Sequence, residues 1–252
     1  MKTCGGFKRT GRILVGVALL GFCAEVRGDA IAELFHQGVE AYRSGNYTGA
    51  VSAFQAAADL APSGGIMQNL GNAEWQAQQV GPAVLAWERA LWVDPLERSA
   101  RANLRFARKA AQLESPQLAW YEVVSTWLPA NAWGWLASVS LWIAVGVVLV
   151  PHVFRRPKAG WHQAVSALAL TLLFLSLPAL VGVHSRARVG FVIAKDTPLR
   201  MTPTEESQFL GRMASGDPGR VLRIRGRYAL IRTPRATGWV ENVQFSTVSG
   251  RL

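Results

Sequence analysis

Across the first third of the chain, positions 33 residues apart repeat one chemistry. Ala50, Phe54, Ala57 and Pro62 are matched at that interval by Ala83, Trp87, Ala90 and Pro95, and upstream Gly38 is matched by Gly71. A series of small, bulky, small and proline at one period restricts each copy to a pair of packed helices. A glycine at the meeting point of two helices leaves no side chain to force them apart. Ala50 and Ala83 are the small residues opposite, and Phe54 and Trp87 fill the space between. Pro62 and Pro95 end each second helix, because proline lacks the N–H and clashes with the preceding turn. Gly45-Asn46-Tyr47 supplies the first turn with residues that tolerate left-handed backbone. The second, Gln78-Gln79-Val80-Gly81-Pro82, is less regular.

This pattern resembles the tetratricopeptide (TPR) repeat, with copies over 31–63 and 64–97. From Leu96 to Ala111 a further helix is expected. It has Ala100, Asn103, Leu104 and Ala107 on one stripe, and Arg98, Arg101, Arg105, Arg108 and Lys109 largely on others. It suits the polar cap that ends a solenoid, so the repeat region runs over 29–111. Two repeats fall short of the roughly three such arrays need. A cap, a partner or a self-contact must supply the remaining burial. The resemblance implies a protein-binding groove lined by the first helix of each pair. By position these residues are Phe35, Val39, Tyr42 and Arg43, then Gln68, Asn69, Asn72, Trp75 and Gln76. Tyr42 and Trp75 are the usual sort of interface anchor, and Asn72 suits a peptide backbone. Trp75 equally suits a core or membrane-facing position.

Charge is distributed in a way that points to a membrane. Of 252 residues only 17% are charged while 50% are hydrophobic. Residues 1–28 read as a signal peptide, with a basic start at Lys2, Lys8, Arg9 and Arg12 and an apolar run from Ile13 to Ala24. Both cysteines, Cys4 and Cys23, fall inside it, so a cleaved chain has no disulfide or thiolate. Residues 112–131 read as a linker with an interfacial segment, and Trp120, Trp127, Trp133 and Trp135 form an expected aromatic belt. Two uncharged runs predict transmembrane helices over 132–154 and 161–184, separated by a basic loop over 155–160 that carries Arg155, Arg156 and Lys158. Positive charge keeps that loop and the signal start in the cytoplasm. The repeats and everything after Ser185 then lie outside it.

Residues 186–252 change period. Phe191-Val192-Ile193, Val221 to Ile224 and Tyr228 to Ile231 read as short strands between glycine and proline punctuation. Pro198-Leu199-Arg200, Pro203, Gly216, Tyr228 and Gly238-Trp239-Val240 resemble the bacterial SH3 pattern, and any small β-barrel remains an alternative. This segment holds 12 Lys/Arg against 5 Asp/Glu, whereas 29–116 holds 7 against 9. Arg223, Arg225 and Arg227 alternate with Leu222, Ile224 and Gly226, so a strand places all three on one face. That face is either solvated or a contact for anionic lipid, wall polymer or an acidic partner.

No chemistry of the catalytic kind is legible. His36, His152, His162 and His184 are scattered, with neither metal-ligand spacing nor an HExxH. No nucleophile elbow or usable phosphate loop occurs. We therefore expect no enzyme, cofactor or metal site, and no nucleic-acid partner. The expected fold class is a multidomain membrane protein: all-α TPR helical hairpins, two transmembrane helices and a small all-β SH3-like barrel.

In that order, with Gly71-Asn72-Ala73, Asp94-Pro95, Asn103-Leu104 and Gly238-Trp239-Val240, the chain resembles the TPR proteins of bacterial aerotolerance (Bat) operons. The resemblance implies an inner-membrane protein with its repeats and SH3-like domain facing the periplasm. It also implies company: membrane proteins with von Willebrand A domains and a MoxR-type ATPase. The expected role is a scaffold for protein–protein interaction. The alternative is an envelope or peptidoglycan-binding protein acting through the SH3-like domain.

Overall fold

The spacing of small and bulky residues is realised as packed helices in a computed structural model that describes residues 28–153 and 160–250. The expected signal, apart from Gly28, and all but Gly160 of the basic loop lie outside the described residues. The chain forms two compact units, divided between Pro62 and Ser63.

The first unit is a helical hairpin. Helix α1 covers 28–43 and α2 covers Tyr47–Leu60. The Asn46 side chain caps α2 by accepting from the Gly49 N–H at 3.0 Å. A Cβ on Gly38 would lie 2.6 Å from the Phe54 ring, so the glycine is what lets the two helices close. Ala50, Phe54 and Ala57 are buried on the facing side.

The second unit begins with the second hairpin, α3 (Gly64–Gln76) and α4 (Val80–Val93), followed by α5 (Arg98–Ala110). Ser63 caps α3 through the Ile66 N–H at 3.2 Å. Here the same device recurs, with a Cβ on Gly71 meeting Trp87 Nε1 at 2.6 Å. Leu70, Ala73, Val84, Trp87 and Leu104 form the buried centre. A one-turn helix, α6 (Trp120–Val124), leads into α7 (Ala130–Val153) and α8 (Gly160–Arg186).

Helices α7 and α8 are both long and apolar enough to cross a membrane, with mean hydropathies of 1.8 and 2.3 over their best stretches. Only 17% of each stretch is buried. Trp135, Trp142, Ile143, Leu168 and Phe174 point outward instead, which core helices avoid. Helix α7 starts at Ala130, two residues before the expected boundary, and Pro178 sits inside α8 without ending it. Of the four belt tryptophans, Trp120, Trp127 and Trp135 are exposed, but Trp133 is 2% exposed and donates to the Ser125 carbonyl at 3.3 Å.

The chain passes from α8 directly into a seven-stranded antiparallel sheet. Its strands are β1 (Val189–Val192), β2 (Thr197–Arg200), β3 (Phe209–Met213), β4 (Pro218–Arg225), β5 (Tyr228–Arg232), β6 (Thr237–Glu241) and β7 (Phe245–Thr247). Their order is β3-β2-β6-β5-β4-β1-β7. Val192, Leu199, Val221, Ile231, Val240 and Phe245 are among its core residues. The Pro198-Leu199-Arg200 and Gly238-Trp239-Val240 motifs lie on the neighbouring strands β2 and β6, where Arg200 faces Trp239. A Cβ on Gly238 would meet Leu199 at 2.6 Å, which accounts for the glycine.

Candidate functional site

The residues expected to line a groove in the first unit lie on α1. Phe35 is half-buried and packs on Phe54 with ring centroids 5.6 Å apart. Tyr42 packs edge-on against Tyr47 at 5.5 Å across the turn. Val39 is half-buried and Arg43 is exposed. Half of this set therefore supports the hairpin through ring contacts, and Arg43 is the side chain most open to a partner.

In the second unit the five residues lie on α3, and four of them make contacts within the fold. The Asn72 Oδ1 accepts from Trp87 Nε1 at 3.1 Å and from Asn103 Nδ2 at 2.7 Å. The acceptor expected to hold a peptide backbone thus ties α3 to α4 and α5. The carbonyl of Gln68 also accepts from Trp87 Nε1, at 3.2 Å. Asn69 donates to the Gly65 carbonyl at 2.9 Å. Trp75 is half-buried, 6.0 Å from the Trp87 ring and 5.8 Å from Phe106. Gln76 is exposed.

The basic strand face needs a correction. Arg223 and Arg225 are on β4 and exposed, but Arg227 is not on the strand. Gly226 and Arg227 form the two-residue turn into β5, with Gly226 at φ +59°, so Arg227 leaves the pleat. It pairs at 3.1 Å with Glu205, an exposed contact of little stabilising value. A bulge between Val221 and Arg223 further disturbs the alternation. Leu222 and Ile224, which strict alternation sends inward, are 37% and 46% exposed.

The densest polar constellation was not singled out from the sequence. Glu122, on α6, is 1% exposed. Both its oxygens accept from Arg220 of β4 in a bidentate pair, at 2.6 and 2.9 Å, and Oε2 also accepts from the Ala119 N–H at 2.8 Å. Arg220 donates as well to Ser185 Oγ at 2.8 Å, and Arg186 to Ser125 Oγ at 3.0 Å. Burial acts to raise the Glu122 pKa, but the bonds from Arg220, Ser185 and Ala119 outweigh it and hold the carboxyl below its usual range. The available signal was position: Glu122 is the one acidic residue between Glu114 and Asp196. A lone acid beside long uncharged runs requires a partner when it is buried.

Other contacts join the sheet to the helices around it. The Gly81 N–H, in the irregular second turn, donates to Ser215 Oγ at 3.0 Å. Arg89 of α4 donates to Ser246 Oγ at 2.9 Å and to the Thr247 carbonyl at 3.1 Å. Arg235 pairs with Glu114 at 2.8 Å. Inside the hairpin, burial pushes the Glu74 carboxyl up to about 8, against a smaller opposing pull from Arg89.

Among the described residues, no group of three or more His, Cys, Asp and Glu side chains converges as a metal site would require. His36 lies 3.8 Å from Glu40, and the His162 ring stacks on Trp161 at 3.9 Å. No protein-family model matches the chain, and no curated protein matches it.

Proposed function

We propose that the chain is a membrane-anchored adaptor without catalytic activity. Helices α7 and α8 hold it in a bacterial inner membrane. Its TPR-like hairpins engage a protein partner on the periplasmic side, in a Bat-type complex with von Willebrand A membrane proteins. The sheet, SH3-like in its motifs, sets the second hairpin in place over the membrane helices. One observation carries this reading: the second hairpin, the sheet and the outward-apolar helices form one compact unit, joined through Arg89, Glu122 and Arg220. A compact connection of that kind suits a scaffold, because it ties a partner bound at the second hairpin to the apolar helices.

Crosslinking of the tagged chain in intact cells, followed by purification in detergent, is expected to recover von Willebrand A membrane proteins. Arg43→Glu and Gln76→Arg should lower that recovery, since both positions are exposed and support no ring contact within the fold. Unchanged recovery from both variants would sink the groove assignment. An eluate free of protein partners would sink the adaptor.

The exposed arginines favour a second reading, contact of the sheet with anionic envelope polymer. Arg223 and Arg225 have no ion-pair partner among the described residues, and exposed Leu222 and Ile224 lie beside them. This reading expects the full chain to be retained on isolated wall material at moderate salt, and expects Arg223→Gln with Arg225→Gln to release it.

A further inference from the structure

The cap helix α5 reads from the sequence as polar, and Arg98, Arg101 and Arg105 are exposed on it. Arg101, Arg105 and Arg108 are spaced i, i+4, i+7, which places them on one stripe. That stripe lines an open cavity of about 680 Å³. A fourth arginine, Arg186 from the end of α8, lines it as well, and among the described residues Glu88 is the only acidic one in its wall. Arg108 is paired with Glu88, and Arg186 lies over the Trp92 ring at 5.1 Å. Arg101 donates to the Pro95 carbonyl, and Arg105 has no partner among the described residues. The cavity therefore carries an excess of positive charge, and its two outer arginines are exposed.

Most of the remaining wall is apolar, with Ser115 and Thr126 as its uncharged polar members. Leu96 and Trp127 are exposed in it, and Leu118 is half-buried. Trp127 lies three residues before α7 begins, and Arg186 is the last residue of α8. The cavity thus sits at the end of the apolar helix pair where tryptophans gather. Guanidinium groups bind phosphate oxygens through paired N–H donors, and basic pockets beside membrane helices suit anionic headgroups.

We propose that this cavity binds the headgroup of an anionic phospholipid. Arg101, Arg105 and Arg108 hold the phosphate, and the acyl chains leave past Trp127 along α7 and α8. The proposal rests on the reading that these two helices span a membrane. It gives the arginine stripe of α5 a task separate from partner binding.

The test uses the full chain purified in mild detergent and native mass spectrometry with added phosphatidylglycerol or phosphatidylcholine of matched chains. Phosphatidylglycerol should be retained preferentially, and Arg101→Gln with Arg105→Gln should weaken retention roughly tenfold. Arg105→Gln alone, at an exposed side chain, should weaken it in the same direction without altering the melting temperature. Arg98→Gln, at an exposed side chain of the same helix that does not line the cavity, should leave retention unchanged. Equal retention of the two lipids, or full retention by the double variant, overturns the proposal. Glycerol phosphate competing as well as the lipid also overturns it, by making the ligand a soluble phosphate. Alkaline carbonate extraction of membranes separates the two ideas. A chain released by carbonate removes the membrane reading and this proposal together, whereas a chain that stays but shows no lipid preference removes only the proposal.

Discussion

Two glycines at one period act through absence. At Gly71 an added Cβ would stand 2.6 Å from Trp87 Nε1, and that indole is already committed to Gln68 and Asn72. Gly71→Ala gains about 1 kcal/mol of helix propensity but incurs overpacking of about 1–3 kcal/mol. We expect a net loss of stability, read as a lower Tm in detergent, and a similar loss for Gly38→Ala against Phe54. Glu74 offers a second test at this scale. Its carboxyl titrates near 8 in the fold and near 4.5 when unfolded. The folded state therefore holds a proton that the unfolded state has released. Stability falls as pH rises between those values, by at most about 1.4 kcal/mol per pH unit. Glu74→Gln should remove that slope, so the variant gains on the parent as pH rises from about 4.5 to about 8 and keeps that difference above it. A parallel pH dependence in both chains would show that Glu74 is not the group responsible.

At the scale of elements, the pair Glu122–Arg220 fastens α6 to β4. Removing one partner of a buried ion pair leaves an uncompensated charge, at a cost of about 3–5 kcal/mol. Arg220→Ala should therefore destabilise the second unit strongly. Glu122→Gln with Arg220→Gln should cost less than the sum of the single changes, and a double-mutant cycle measures the difference. The depressed Glu122 pKa adds a pH dependence of opposite sign to that of Glu74. Its contribution is complete above the unfolded value and is lost as pH falls through the lower folded one. Loosening of the sheet is then an acid-side event, visible as increased hydrogen exchange in β4 and β1. The irregular turn after α3 belongs to this scale too. Gly81 lies so close to Ser215 and the Val192 carbonyl that a side chain there has no room, and its N–H bonds across to the sheet. The departure of that turn from its counterpart in the first hairpin follows from docking.

For the whole molecule the sharpest prediction is topology. Single cysteines at Glu33 and Glu206, both exposed, should react in intact spheroplasts with a membrane-impermeant maleimide. A cysteine at Lys158 should react only after the membrane is opened. Labelling of all three from outside would refute the two-pass arrangement. The 62/63 division is itself a finding at this scale. The 33-residue pattern treats the two hairpins as equivalent, yet the second shares a compact unit with the sheet and the apolar helices. Its extra burial comes from a self-contact, one of the three sources the repeat reading leaves open.

Local rules reached a good deal of this unaided. Glycine and proline at one period set the hairpins, because sterics at Gly38, Gly71, Pro62 and Pro95 operate within a few turns of chain. Uncharged runs of membrane length set α7 and α8, because the cost of burying charge is a property of composition. Short strands were legible at β1, β4 and β5, where apolar residues cluster. Strands β3 and β7 were not, since Phe209–Met213 is almost wholly exposed and Phe245–Thr247 is only three residues long. Long-range decisions belonged to the tertiary structure alone. It spent the Asn72 acceptor on Trp87 and Asn103, turned Arg227 off its strand, joined Glu122 to a guanidinium 98 residues away and gathered four arginines around one cavity. Hydrogen bonds and ion pairs depend on which surfaces meet, and neither period nor composition records that.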